Sequence, residues 1–458
     1  MVASSSEIGL GDLTRCVDDG RRDWVERLRA YVSIPSVFAL PEPIAERTRI
    51  CLEGGLRREL IPHHEAMAGR LAADLAGLGL GVSVGRGTLP GDEAGIPYVR
   101  ARAGGGEAVA LLFSSHYDVV GAGAGWETDP FAAVEREGWI YGRGCSDAKG
   151  PVAAMVSACE VLSRLGWQPR RGLELVFTGD EEVGGRRGIR SASLAGELAA
   201  EACVVGEPSA LDGRIVAAVM TRGRVEVCIT ASRQPESAHS AFGVADSPLE
   251  ALISVLEHLR RSRQGLTEVF TALLAAEDRW SGIERAAPQL RILGLRQPAV
   301  VGSGNVLGSR AEARVEIRYH PPLTSAGIAV WLAAVLGEVE TPGVTYSQTC
   351  WNEPAVLPEE SGLAGRVIRL ARAAGIEVTA AAFPAGSDMS PLINLHRIPT
   401  CIVSAADLVA NRIHGDDERI SEAELLATVK LYAILMLGFC GDALNEDFFE
   451  RGRKEEAR

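Results

Sequence analysis

Two histidines and a set of carboxylates hold the chemistry available to this chain. His116 and Asp118 close an apolar run that begins at Ala108 and passes through Ser-Ser-His116-Tyr-Asp118. A buried strand of an α/β sheet delivers polar side chains in this way at its C-terminal end. Asp147 stands in Tyr141-Gly-Arg-Gly-Cys-Ser-Asp147-Ala-Lys-Gly150, a glycine-rich turn directly before a helical pattern from Pro151 to Leu165. Two further apolar runs end in acid: Leu173-Glu-Leu-Val-Phe-Thr-Gly leads to Asp180-Glu181-Glu182, and Ala202-Cys-Val-Val-Gly leads to Glu207. His414 follows the apolar segment Thr400 to Ser404, in Asn411-Arg-Ile-His-Gly-Asp-Asp-Glu418. Imidazole and carboxylate together suit zinc, and a catalytic zinc takes about three protein ligands and an open position for water. Each piece alone is weak, since a DEE triplet is usually a solvated charge run and Gly-Glu-Pro-Ser an ordinary turn. Ligands bind at strand ends, and the set reads as one metal centre.

The elements that must position these residues fall into three stretches. From Gly81 to Gly206 short apolar segments alternate with helices, the pattern of a parallel or mixed sheet with helices on both faces. Residues 1–213 are accordingly the first part of an α/β domain. Residues 214–350 change character: strands over Arg214–Ala231, an amphipathic helix over Ser247–Arg263, an alternating strand over Ala311–His320, a helix over Ser325–Leu336 and a strand over Val344–Cys350. This is a smaller inserted α+β unit. Residues 351–458 resume the first pattern with a helix over Ser361–Ala374, a strand near Glu377–Ala381, the loop Pro384-Ala-Gly-Ser-Asp388 and a closing helix over Glu422–Leu437.

The series HxD, GRGxSDxKG, DEE, GEP and IHGxDER, in this order, resembles the di-zinc hydrolase family of acetylornithine deacetylase, succinyl-diaminopimelate desuccinylase, aminoacylase, glutamate carboxypeptidase and the carnosinase-type dipeptidases. The resemblance covers nearly the whole chain. It implies a zinc-peptidase-like catalytic domain and an inserted ferredoxin-like lid that carries a homodimer interface. It further implies that His116, Asp147 and Glu207 bind one Zn2+ and that Asp147, Glu182 and His414 bind the other, with Co2+ or Mn2+ as possible occupants. Glu181 is then the general base, and Asp118 fixes the tautomer of His116.

The same resemblance makes His239 a lid residue that reaches the partner subunit's site and helps stabilise the oxyanion. It puts Asn305, Arg318, Gly386 and Ser387 on the substrate, the arginine on a carboxylate, which its planar fork binds bidentately. The chain has Glu316-Ile-Arg318 and Asn305-Val-Leu-Gly where the family more often has Asp-x-Arg and Asn-x-Ile-Pro. Residues 39–62 and 262–290 look like added stretches. The substrate implied is an N-acyl amino acid or short peptide, cleaved at an amide next to an amino-acid carboxylate. Glutamate at position 207 goes more often with deacylases and carboxypeptidases than with dipeptidases. A carnosinase-type dipeptidase and an inactive zinc-binding paralogue are the alternatives.

Composition narrows the partners. The 458 residues are 47% hydrophobic and 23% charged, as expected of a globular protein of more than one domain. A net charge of −13 argues against nucleic acid and anionic membranes, which would be repelled. Nine cysteines without CxxC spacing indicate neither a zinc ribbon nor a disulfide framework. The segment Met1–Gly20 lacks the apolar core of a signal peptide, and no long apolar run for a membrane span is read, so a reduced, cytoplasmic setting is expected. His63 and His64, an adjacent pair at a helix start, are read as exposed and without function.

Overall fold

The computed structural model describes residues 8–41, 44–106, 108–191, 194, 197–232, 247–276, 282–297, 307–339 and 341–441. His239, Asn305 and the charged C-terminal segment lie outside the described residues. The chain forms two compact units: Met1–Val219, Leu357–Ala381 and Ser387–Arg458 make one, and Met220–Val356 with Ala382–Gly386 make the other.

The first unit opens with α1 (Leu10–Asp19), α2 (Arg21–Val32), α3 (Ile44–Leu52) and α4 (His64–Gly77). Its strands begin with β1 (Gly81–Gly87), β2 (Ile96–Ala103), β3 (Val109–His116), the hairpin β4 (Val134–Arg136) and β5 (Trp139–Tyr141), β6 (Gly172–Thr178), β7 (Cys203–Val205) and β8 (Ile215–Thr221). Helix α5 (Lys149–Arg164) lies between β5 and β6. Every residue of β3 and β6 is buried, which explains their unbroken apolar runs.

In the second unit, β9 (Gly223–Ser232), α6 (Pro248–Ala275), β10 (Gln289–Arg296), β11 (Arg310–Tyr319), α7 (Ser325–Gly337) and β12 (Val344–Asn352) follow, then the short β13 (Ala355–Val356). The strands form an antiparallel sheet in the order β10-β11-β9-β12. Alternate residues Val225, Val227, Ile229, Val315 and Ile317 share one core with Leu252, Val255 and Leu259 of α6 and Ile328 and Leu332 of α7. Helix α6 is a single helix of 28 residues, started by a Ser247–Glu250 capping box with Pro248 in the first turn. It therefore runs well past the Arg263 end that periodicity marked, into the stretch read as an addition.

The first unit is completed by α8 (Leu363–Ala373), β14 (Val378–Ala382), α9 (Met389–Asn394), β15 (Thr400–Ile402), β16 (Arg419–Ser421) and α10 (Glu422–Cys440). Its large sheet has the order β1-β2-β6-β3-β7-β15-β8, with β14 also on β8. The central neighbours β6, β3, β7 and β15 are parallel, with His116 opposite Thr178, Ser114 opposite Val205 and Thr400 opposite Cys203. Their C-terminal ends consequently open on one edge. By length and composition α10 could cross a membrane, a run the sequence reading did not count. Its residues are mostly buried and it packs on α5, α8 and α1, the arrangement of a core helix.

One expectation about the N-terminal region needs correction. His64 is fully buried, with its ring edge-on to Phe38 and Tyr117, and only His63 is exposed. The stretch after Ala39 forms α3 and a short turn whose Ile50, Leu56, Leu60 and Ile61 build a small satellite core with Ala94 and Ile96. Periodicity could not show this, because the partner residues come from another element.

Candidate metal centre

The parallel register explains how five distant pieces meet. His116 is the last residue of β3, the Asp180–Glu182 turn follows β6, and Glu207 follows β7, so all three leave the sheet on the same edge. Asp147 enters from the turn before α5, and His414 from the loop before β16.

Asp147 lies between the two imidazoles. Its Oδ1 is 3.1 Å from His116 Nε2, and its Oδ2 is 3.1 Å from His414 Nε2. Glu207 Oε2 stands 3.5 Å from His116 Nε2, and Glu182 Oε1 stands 3.0 Å from His414 Nε2. The donor atoms of His116, Asp147 and Glu207 all lie within 4.8 Å of one another, as do those of Asp147, Glu182 and His414. These two groups consist of the residues for which the resemblance implied metal binding. The first is buried. In the second the His414 side chain is 51% exposed, so water can reach that side.

Asp118 does more than face His116. Its carbonyl lies 3.0 Å and its carboxylate 3.4 Å from His116 Nδ1, which leaves Nε2 directed at Asp147. The same carboxylate accepts the backbone N–H groups of Glu181 and Glu182, at 3.2 and 3.1 Å. One side chain thereby fixes an imidazole and the turn that carries both glutamates. Glu182 is spent on His414. The Glu181 carboxylate makes no hydrogen bond or ion pair among the described residues.

The electrostatics describe a site with too little positive charge. Burial raises Glu207 to about 8, although His116 opposes it. Burial and then the Glu207 charge hold Glu181 well above the usual carboxylate range. Burial raises Asp388 to about 6 and Asp180 to about 8. His414 is pushed up to about 11: burial works against its charged form, and Glu182 and Asp147 outweigh it. Crowded carboxylates with two imidazoles, all converging on Asp147, are a donor set that fits divalent cations.

Several residues that hold the site in shape were not singled out from sequence. Glu418 is fully buried, and its Oε1 accepts the backbone N–H groups of Gly144, Ser146 and Asp147, each at 3.0 Å. Its other oxygen is ion-paired with buried Arg143, whose Nη2 donates to the Gly415 carbonyl at 3.0 Å. Asn411 Nδ2 donates to Ser146 Oγ at 3.1 Å. The Asp147 turn and the His414 loop are thus tied together. Lys149 is buried and donates to the carbonyls of Tyr31 and Ile34, at 3.0 and 2.6 Å, which anchors the turn to the end of α2. Arg143, Lys149 and Glu418 all stand inside the quoted motifs. The signal available in sequence was a buried charge of each sign in two motifs that must meet.

The remaining expected residues are placed as follows. Ser387 is buried, and its hydroxyl accepts the Met389 N–H at 3.1 Å. Gly386 belongs to the second unit, where a Cβ at its position would stand 2.8 Å from the Asn352 amide nitrogen. Arg318, also in the second unit, binds the Glu316 carboxylate through Nε at 3.0 Å and Nη2 at 3.2 Å.

The family model described as Peptidase family M20/M25/M40 matches residues 112–438. A succinyl-diaminopimelate desuccinylase of Gluconacetobacter diazotrophicus is 29% identical over 407 residues, 83% of this chain and 95% of that protein. The dipeptidase Dug1p of Saccharomyces cerevisiae has a similar fold, with a TM-score of 0.71, 16% identity and coverage of 96% of this chain and 99% of that one. The metallo-carboxypeptidase Sso-CP2 of Sulfolobus solfataricus matches with a TM-score of 0.70, 18% identity and coverage of 91% and 98%.

Proposed function

The chain belongs to peptidase family M20/M25/M40, and from that premise we propose that it is a di-zinc hydrolase that removes the acyl group from an N-acyl amino acid. The observation that carries this reading is the division of labour between neighbours: Glu182 is held by His414, while Glu181 is left free beside the two ligand sets. The near full-length similarity to a desuccinylase supports a deacylase over a peptidase, and so does glutamate at position 207.

In this reading His116, Asp147 and Glu207 hold one zinc ion, and Asp147, Glu182 and His414 the other. When bound, the pair of cations supplies Lewis acidity to the amide carbonyl and lowers the pKa of water. Glu181 takes the proton of the attacking water and passes it to the leaving amine. Its raised affinity for a proton, from burial and Glu207, suits a group that must carry one between two steps. Asp118 keeps His116 in the tautomer that offers Nε2 and keeps the Glu181–Glu182 turn in place.

The assembly proposed is a homodimer paired through the second unit, with His239 serving the partner's site. β10 and β12 are the edges of its sheet, and β10 exposes Ile292, Leu293 and Leu295. Nine free cysteines fit a reducing, cytoplasmic setting.

The test pairs a substrate panel with one variant. N-Acetyl, N-succinyl and N-formyl amino acids and dipeptides are assayed with added Zn2+, Co2+ or Mn2+, and turnover of acyl amino acids is expected to dominate. Glu181→Gln is expected to lower kcat by about a thousandfold or more, while metal analysis still finds two ions per chain. Near-wild-type kcat in that variant would remove Glu181 from the mechanism, and exclusive dipeptide turnover would replace the deacylase reading.

A further inference from the structure

The two groups of metal-binding residues are positioned by different means. His116 is the last residue of the fully buried β3, and Glu207 follows β7, which pairs with β3 in parallel, so the sheet places both. His414 has no strand beneath it. It stands in a loop, its side chain is half exposed, and its backbone is left-handed at φ 62°, with Arg412 at φ 54° and Asp417 at φ 56° on either side. Non-glycine residues in that region are strained, and they persist only where their surroundings over-determine them.

A buried arginine reaches the carbonyls at the crest of this loop. Arg143 is 1% exposed and belongs to the glycine-rich turn before α5. Its Nη2 donates to the Gly415 carbonyl at 3.0 Å and lies 3.4 Å from the His414 carbonyl, while Nη1 is ion-paired with Glu418. Trp126 covers the guanidinium, with its ring centroid 5.3 Å away. Asp416 and Asp417 steady the loop from outside, accepting the N–H groups of Gly125 at 3.1 Å and Glu127 at 2.9 Å. The Arg419 N–H closes the loop on the Asn411 carbonyl at 3.0 Å. Arg143 and Glu418 therefore hold different things. Glu418 binds the N–H groups of the Asp147 turn, and Asp147 belongs to both groups, whereas Arg143 binds the carbonyls of His414 and its neighbour, and His414 belongs to one. Being of opposite charge, the two together add no net charge beside the carboxylates.

We propose that Arg143 is a positioning residue for His414, and through it for the second metal position alone: by binding the His414 and Gly415 carbonyls it sets the left-handed loop that aims Nε2 at Asp147 and Glu182. The planar fork is what the task requires, since one nitrogen faces Glu418 and another the loop carbonyls, and the compact ammonium of a lysine does not span both. The consequence for metal binding rests on the two-ion reading, whereas the hold on the loop does not.

Two measurements separate these layers. Arg143→Met would leave Glu418 buried without its partner and can unfold the chain, so both use Arg143→Lys, which keeps the charge. First, amide hydrogen exchange is followed by mass spectrometry in the metal-free full chain. Peptides covering residues 411–417 are expected to exchange about tenfold faster than in wild type, while those of β3 and β7 keep their protection. Unchanged exchange in the loop would overturn the proposal, and so would a rise that extends to β3 and β7, which is what general loosening produces. Second, Zn2+ is titrated calorimetrically into the metal-free protein, with His414→Ala and Glu418→Gln alongside. Arg143→Lys is expected to weaken the ion that His414→Ala also weakens, by about ten- to hundredfold, and to leave the other within about threefold. Glu418→Gln, which disturbs Asp147, is expected to weaken both. Equal weakening of the two ions by Arg143→Lys, or of neither, would overturn the proposal. If wild type takes up no second ion, the two-ion reading fails, and the exchange measurement still decides whether Arg143 holds the loop.

Discussion

Single residues in this protein carry two duties where burial concentrates them. Asp118 meets His116 on one side and the N–H groups of Glu181 and Glu182 on the other. Asp147 shares its two oxygens between His116 and His414. His64 shows the opposite case, a titratable group buried with one purpose, to fill an aromatic corner. Burial lowers it to about 4 from an ordinary value near 6.5. Its folded-state pKa is depressed, so between these two values the unfolded chain takes up a proton that the folded one refuses. Stability is full above pH 6.5 and falls as the pH drops toward 4, by about 3 kcal/mol from this group alone. Urea unfolding at pH 7, 5.5 and 4.5 checks it: His64→Leu is expected to lose less stability than wild type across that window. Parallel losses in the two proteins would show that His64 does not titrate this way.

At the scale of elements, a buried ion pair reinforces the attachment of the stretch between Ala39 and Pro62, whose apolar residues pack on Ala94 and Ile96. Arg187 and Asp92 are both buried and meet through two hydrogen bonds of 2.7 and 2.8 Å. Arg187 also donates to the carbonyls of Ile50 and Cys51, and Asp92 accepts the N–H groups of Leu56 and Leu89. The backbone N–H of Arg187 donates to Asp180, the residue before Glu181, at 2.6 Å. α3 and its satellite core are thereby connected to the Asp180 turn by one residue. Arg187→Met leaves Asp92 buried and unpaired, and it is expected to cost about 3–5 kcal/mol of stability. Denaturant unfolding measures the loss, and limited proteolysis is expected to cut first within residues 39–62. A variant as stable as wild type would mean that the segment is held by its apolar contacts alone.

The whole molecule is proposed to work as a pair. If His239 serves the partner's site, a His239→Ala chain and a Glu181→Gln chain are each inactive alone, and a mixed dimer has one site with both residues intact. Random exchange makes half the dimers mixed, so up to about a quarter of wild-type activity is expected on mixing. Exchange is followed with differently tagged chains. No recovery despite proven exchange would place His239 in its own subunit's site or outside any site. Sedimentation of the wild-type protein supplies the oligomeric state that the experiment presumes.

The sequence by itself determined the elements and the kind of residue each one delivers. Apolar runs that break into His116, Asp180–Glu182 and Glu207 announce buried strands ending in polar groups, because a strand covered on both faces has no other place for them. The order of the motifs carried the residues that converge around Asp147, and α5, α7 and α8 followed from periodicity within a few residues of their ends. Only the tertiary structure decided which charges meet. Glu418 holds the Asp147 turn from 271 residues away, and Arg187 reaches Asp92 across 95. His64 is buried by Phe38 and Tyr117, which come from other parts of the chain. Arg318 looks available in sequence, yet the fold gives it to Glu316 and leaves Arg222 with an amide. Periodicity is a local property of neighbours within a turn or a pleat, whereas pairing a buried charge is a non-local one, settled by which elements pack together.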